Sequence, residues 1–83
     1  MEKSIIATLC ILKRNVKVDI EIPKDITANE LVVALNEAYQ LEIDTNDIKQ
    51  CYLKTENPIK LLKGNKKIEE YDLRDGTIIN FTK

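Results

Sequence analysis

One run limits the fold more than any other: Val16 to Ile22, VKVDIEI, alternates apolar and charged residues without a break. Side chains two apart in a strand share a face, so Val16, Val18, Ile20 and Ile22 line one side and Lys17, Asp19 and Glu21 the other. A strand with one buried and one wet face is the structure that needs this period. The segment before it, Ser4 to Leu12 (SIIATLCIL), is rich in β-branched and large apolar residues that suit a pleated surface. Its residues Ile5, Ala7, Leu9 and Ile11 form a wholly apolar face. The polar break Lys13-Arg14-Asn15 has the length of a turn, so the two runs are predicted to pair as an antiparallel hairpin.

Pro23 ends the second strand because it has no N–H for the ladder. A helix start follows. Thr27 and Glu30 have the spacing of a capping box, and Ile26 and Leu31 that of a hydrophobic staple. The helix is expected from about Ala28 to Tyr39 or Gln40, with Leu31, Ala34, Leu35 and Ala38 on its apolar face. Leu41 and Ile43 anchor a polar connection in which Asp44, Thr45 and Asn46 cap a short turn through Ile48. A third strand is expected over Gln50 to Thr55, and a turn at Glu56-Asn57-Pro58 leads to a fourth over Ile59 to Leu62. Gly64 can supply a positive φ in the loop Lys63 to Lys66. Ile68, Tyr71 and Leu73 are spaced as anchors of a helical turn, Asp75-Gly76 is a turn signal, and Thr77 to Thr82 is the last strand.

The order ββαβββ is that of an α+β fold in which one helix packs on one face of a mixed five-stranded sheet, with the first and last strands parallel at its centre. This is the β-grasp, or ubiquitin-like, topology. A chain of 83 residues makes a single domain, residues 1–83, and its hydrophobic fraction of 43% supplies one core. Val16, Val18, Ile20, Ile22, Leu31, Leu35, Cys51, Leu53, Leu61, Ile79 and Phe81 are expected to form that core.

Charge and inventory exclude several functions. Thirteen Lys and Arg face fourteen Asp and Glu, a net charge of −1, which argues against nucleic acid as a partner. The longest apolar stretch, Ile5 to Leu12, is far short of the ~20 residues of a spanning helix. Lys13 and Arg14 stand where a signal peptide would need small residues, so a cytoplasmic protein without membrane insertion is expected. There is no histidine to act as a general base near neutral pH, and the only serine is Ser4. Asp44 with Asp47, and Glu69 with Glu70, read as caps and solvated carboxylates. Cys10 and Cys51 have no metal-ligand spacing and read as reduced thiols packed in or near a sheet. Neither Gly64 nor Gly76 belongs to a phosphate-cradling loop. No catalytic residue, metal, cofactor or small-molecule substrate is expected.

What remains is surface. The sheet face away from the helix is predicted to carry Ile6, Thr8 and Cys10 from the first strand, Tyr52 and Lys54 from the third, and Ile78, Asn80 and Thr82 from the last. Grouped exposed apolar residues point to a protein-binding face, and they admit a homo-oligomer. A second candidate is the basic cluster Lys60, Lys63, Lys66 and Lys67, joined by Lys13, Arg14 and Lys17, which would meet an acidic partner or an anionic membrane.

The segment IEEYDLRDGTIINF, Ile68 to Phe81, resembles the closing segment of ubiquitin-like proteins, with Tyr71 at the tyrosine of the turn and Ile79 and Phe81 at the inward strand positions. IPKDITANELVVALNEAYQLEI and LLKGNKKIEEYDLRDGTI resemble, in the same order, the Pro-ended strand, aliphatic helix, Leu-Leu, acidic-Tyr and Asp-Gly elements of the YukD/EsaB family. These are small ubiquitin-like proteins of the type VII secretion systems of Gram-positive bacteria. The N-terminal hairpin is more aliphatic than the family's aromatic-containing one. The resemblance implies a non-catalytic accessory protein that contacts cytosolic parts of the membrane complex exporting WXG-type proteins. Ubiquitin-type modifiers and sulfur carriers end in a flexible Gly-Gly tail, whereas this sequence ends Phe81-Thr82-Lys83. Conjugation is therefore not expected. A modifier or sulfur carrier with a truncated tail, and a generic cytosolic adaptor, are the alternatives.

Overall fold

The alternating run and the aliphatic run before it form the hairpin. In the computed structural model, which describes residues 3–47 and 49–81, β1 (Ser4–Ile11) pairs antiparallel with β2 (Val16–Pro23). The register sets Ile5 opposite Ile22, Ala7 opposite Ile20 and Leu9 opposite Val18. The polar break is a 3₁₀ turn, Leu12–Arg14, closed by Asn15 in the left-handed conformation at φ 53°.

The helix α1 spans Ala28–Tyr39. The capping box is complete: Glu30 N–H donates to Thr27 Oγ1 at 3.1 Å, and Thr27 N–H donates to Glu30 Oε1 at 3.0 Å. The buried face differs from the expected one. Ala28, Leu31, Val32 and Leu35 are buried, whereas Ala34 and Ala38 are exposed. Both stripes obey helical spacing. The one that wins carries Val32 and the half-buried Tyr39 and so removes more apolar area from water than two alanine methyls do.

The third strand starts later than expected. β3 is Leu53–Glu56, because Gln50 and Cys51 close a turn in which both backbone N–H groups donate to Asp47 O, at 2.9 and 3.0 Å. The predicted end of the preceding turn, Ile48, lies outside the described residues, as does Thr82. β4 is Lys60–Leu62, a 3₁₀ turn covers Ile68–Tyr71, and β5 is Ile78–Phe81. Gly64 and Gly76 take positive φ values of 75° and 93°, as their turns require.

All five strands belong to one sheet, ordered β2-β1-β5-β3-β4. β5 lies parallel to β1, with Leu9 beside Ile79 and Ile11 beside Phe81, and antiparallel to β3. This is the ubiquitin-like β-grasp. The inward residues of β1, β3, β4 and β5 pack with Leu31, Val32 and Leu35 of the helix. Leu41, Ile43, Ile68, Tyr71 and Leu73 complete the cluster from the connections. Val16, Val18 and Ile20 are only partly buried, since β2 is an edge strand and the core covers one flank of it.

Leu61 is a correction. It was expected in the core but is 42% exposed, while Leu62 is fully buried. The ladder decides this: Leu62 pairs with buried Leu53, and Leu61 pairs with Lys54 on the opposite face.

Candidate functional site

The helix covers one face of the sheet and leaves the other open. The register lays that open face out in cross-strand rows. One row runs Lys17, Cys10, Asn80, Lys54, Leu61, and the next runs Asp19, Thr8, Ile78, Glu56. Ile6 pairs with Glu21 beyond them. Ile6, Thr8, Cys10, Lys54, Ile78 and Asn80 therefore share the face on which the alternation placed them. Tyr52, which precedes β3, lines a shallow groove beside Lys54.

Their availability differs. Ile6 is 45% exposed, and Ile78, Asn80, Thr8 and Tyr52 are half-buried. Cys10 is a correction: it is on this face but only 5% exposed, flanked in its row by Lys17 and Asn80, and offers almost no surface to a partner. Thr8 is tied down as well, its hydroxyl donating to Asp19 Oδ1 at 3.0 Å. Ser4 Oγ donates to Glu21 Oε2 at 2.7 Å. These two bonds fix the carboxylates on β2 over the hairpin. At the far end, Ile6 N–H donates to Asp75 Oδ1 at 2.8 Å, so the Asp-Gly turn closes against β1.

Leu61 is the residue that sequence reasoning missed here. It joins Tyr52 on the open face, and Lys49, Lys54 and Lys63 surround the pair. They line an open groove of about 250 Å³. The signal for it was the dipeptide Leu61-Leu62, of which a strand can bury only one member.

The basic cluster expected from sequence is not one patch. Lys63 lies at the rim of the groove. Lys60 pairs with buried Thr55 and leaves the strand on the helix side. Lys66 and Lys67 lie beside the start of α1, where Ala28 N–H donates to Lys66 O at 2.9 Å and Lys67 bridges Thr27. Lys66 Nζ stands 4.7 Å above the Tyr71 ring, and the Tyr71 hydroxyl donates to Lys63 O at 3.0 Å. Lys13, Arg14 and Lys17 belong to the β2 edge, at the other end of the sheet from β4. The Arg14 guanidinium donates to the carbonyls of Tyr39 and Gln40 at the end of α1.

On the helix side, Cys51 is buried and its thiol donates to Asn29 Oδ1 at 3.0 Å. Burial pushes its pKa up, which keeps it protonated and unreactive. Cys10 is the second buried free cysteine. No group of metal-ligating side chains is found among the described residues, and no helix there is long and apolar enough to cross a membrane.

Residues 6–80 match the family described as "WXG100 protein secretion system (Wss), protein YukD". No curated protein matches the chain. Among solved structures, the C-terminal ubiquitin-like domain of mouse tubulin-specific chaperone e superposes with a TM-score of 0.68 at 8% identity, covering 94% of this chain and 84% of that one. A design based on ubiquitin gives 0.66 at 16% identity, covering 96% and 88%. The UBL domain of Plasmodium falciparum Dsk2 gives 0.60 at 18%, covering 93% and 96%.

Proposed function

The chain belongs to the YukD family of the WXG100 protein secretion system, and from that premise we propose that it is a non-catalytic, cytoplasmic docking component of the system that binds cytosolic protein parts through the open face of its sheet. Membership in a secretion-system family implies protein partners. The observation that carries the reading is the apolar content of a face that no element among the described residues covers: Ile6, Ile78, Tyr52 and Leu61 lie there, with polar groups around them. Burying such side chains on a partner gains about 25 cal/mol per Å² of apolar surface, and tyrosine is among the residues that commonly dominate interface energies. None of the four belongs to the buried core cluster.

The test is direct binding. Wild type, Ile6→Asp and Tyr52→Ala are titrated against purified cytosolic domains of the secretion system, with circular dichroism and melting curves checking that each is folded. Binding weakened by about 10-fold or more in the folded variants supports the face. Equal affinity for all three removes it.

A further inference from the structure

The open face is electrically divided. Its β2 edge presents Asp19 and Glu21, both accepting hydrogen bonds from side chains of β1, beside Lys17, and Glu56 of β3 adds a carboxylate in the row of Asp19. Its opposite corner, where β3 and β4 meet, presents Lys49, Lys54 and Lys63 around Tyr52 and Leu61. Among the described residues no carboxylate lines that groove. None of the three ammonium groups is paired with a carboxylate among the described residues. In a chain whose net charge is −1, this corner is locally basic.

We propose that this corner seats an acidic segment of a partner protein, with an apolar side chain against Leu61 and Tyr52 and carboxylates facing Lys49, Lys54 and Lys63. This rests on the sheet-face reading above and names the partner's chemistry. Charge complementarity argues for it: three unpaired ammonium groups around an apolar floor attract carboxylates and reject a basic segment. The groove's shape favours a segment over an anionic membrane. A flat membrane laid across the face would meet Asp19 and Glu21 as well as the lysines, whereas a chain segment in the groove of about 250 Å³ meets only the basic corner. Leu61 has a role on this reading: it is the apolar floor that gives the lysine corner something other than charge to recognise.

The probe is a fluorescent acidic peptide of about 12 residues, Glu-rich around a central Leu-Phe pair, with a Gln-for-Glu peptide and phosphatidylserine vesicles as the other arms. Affinity is read by anisotropy and the site by amide NMR shifts. The expected result is saturable binding of the acidic peptide alone, with shifts at Tyr52, Lys54, Leu61 and Lys63 and none along β2. Binding should weaken about 10-fold or more in the double variant Lys54→Glu, Lys63→Glu, and also as salt is raised from about 50 to about 300 mM. Leu61→Ser should weaken it at unchanged charge. Equal binding of the neutral peptide, shifts centred on β2, binding to the vesicles alone, or no saturable binding overturns the proposal. If Ile6→Asp abolishes capture of the secretion domains while the double lysine variant does not, this corner is wrong and the open face stands.

Discussion

Leu61 and Leu62 are the same residue type one position apart, and the ladder gives them opposite fates. Leu62→Ala opens a cavity beside Leu53 and is expected to cost about 2–4 kcal/mol in urea unfolding. Leu61→Ala removes a side chain that is 42% exposed and should cost about 1 kcal/mol or less. Equal losses would mean the register is misplaced by one residue. The sequence could not separate these two, because a three-residue edge strand is too short to show a period. In β1 and β2 the eight-residue strands made the same decision legible. Cys10 shows a different limit. Alternation places it on the open face correctly, but its burial depends on the side chains of flanking strands that are distant in sequence. Cys51 carries a pH consequence. Its thiol pKa is raised in the folded state by burial, so the unfolded chain loses its proton first. The contribution to stability is complete below the ordinary thiol pKa and is lost as pH rises through the folded value. Cys51→Ser should therefore flatten the alkaline end of a stability–pH curve, measured by urea midpoints.

At the scale of elements, the helix is held at both ends by side chains. Thr27→Ala should lower stability by about 1 kcal/mol, read from the urea midpoint at unchanged slope. That cap was legible, because a capping box is a local pattern. The far end was not. Asn36 lies one turn before the helix stops, and its amide brackets Ile43: its Oδ1 accepts from Ile43 N–H at 2.8 Å and its Nδ2 donates to Ile43 O at 3.2 Å. Two left-handed residues, Gln40 and Glu42, lie inside this clamp. Asn36→Ala should cost about 1–3 kcal/mol and speed amide exchange at Ile43. An asparagine on a helix surface gives no sequence signal of a partner seven residues away. The buried stripe was misjudged for a related reason. Ala34 and Ala38 fit the period as well as Ala28 and Val32 do, and only the position of the sheet selects between them.

For the molecule as a whole, the β-grasp order was legible because each element announced itself locally and few topologies accommodate ββαβββ with one helix. The open face was legible as a set of positions, while the separation of the Asp19 and Glu21 carboxylates from the lysine corner depended on strand order, which places β2 and β4 farthest apart. The placement of β5 ties the fold together, since it alone joins the hairpin to β3 and β4. Truncation after Gly76 should abolish the cooperative unfolding transition and leave a chain without native circular dichroism. A partly folded hairpin-plus-helix that still melts cooperatively would show the halves to be independent. The same arrangement governs biogenesis. A ribosome delivers residues in order, yet the central seam stays vacant until Phe81 has emerged from the exit tunnel. Until then the rim of β1 that will receive β5 carries unsatisfied backbone donors and acceptors, a template on which a stray strand from another molecule can pair.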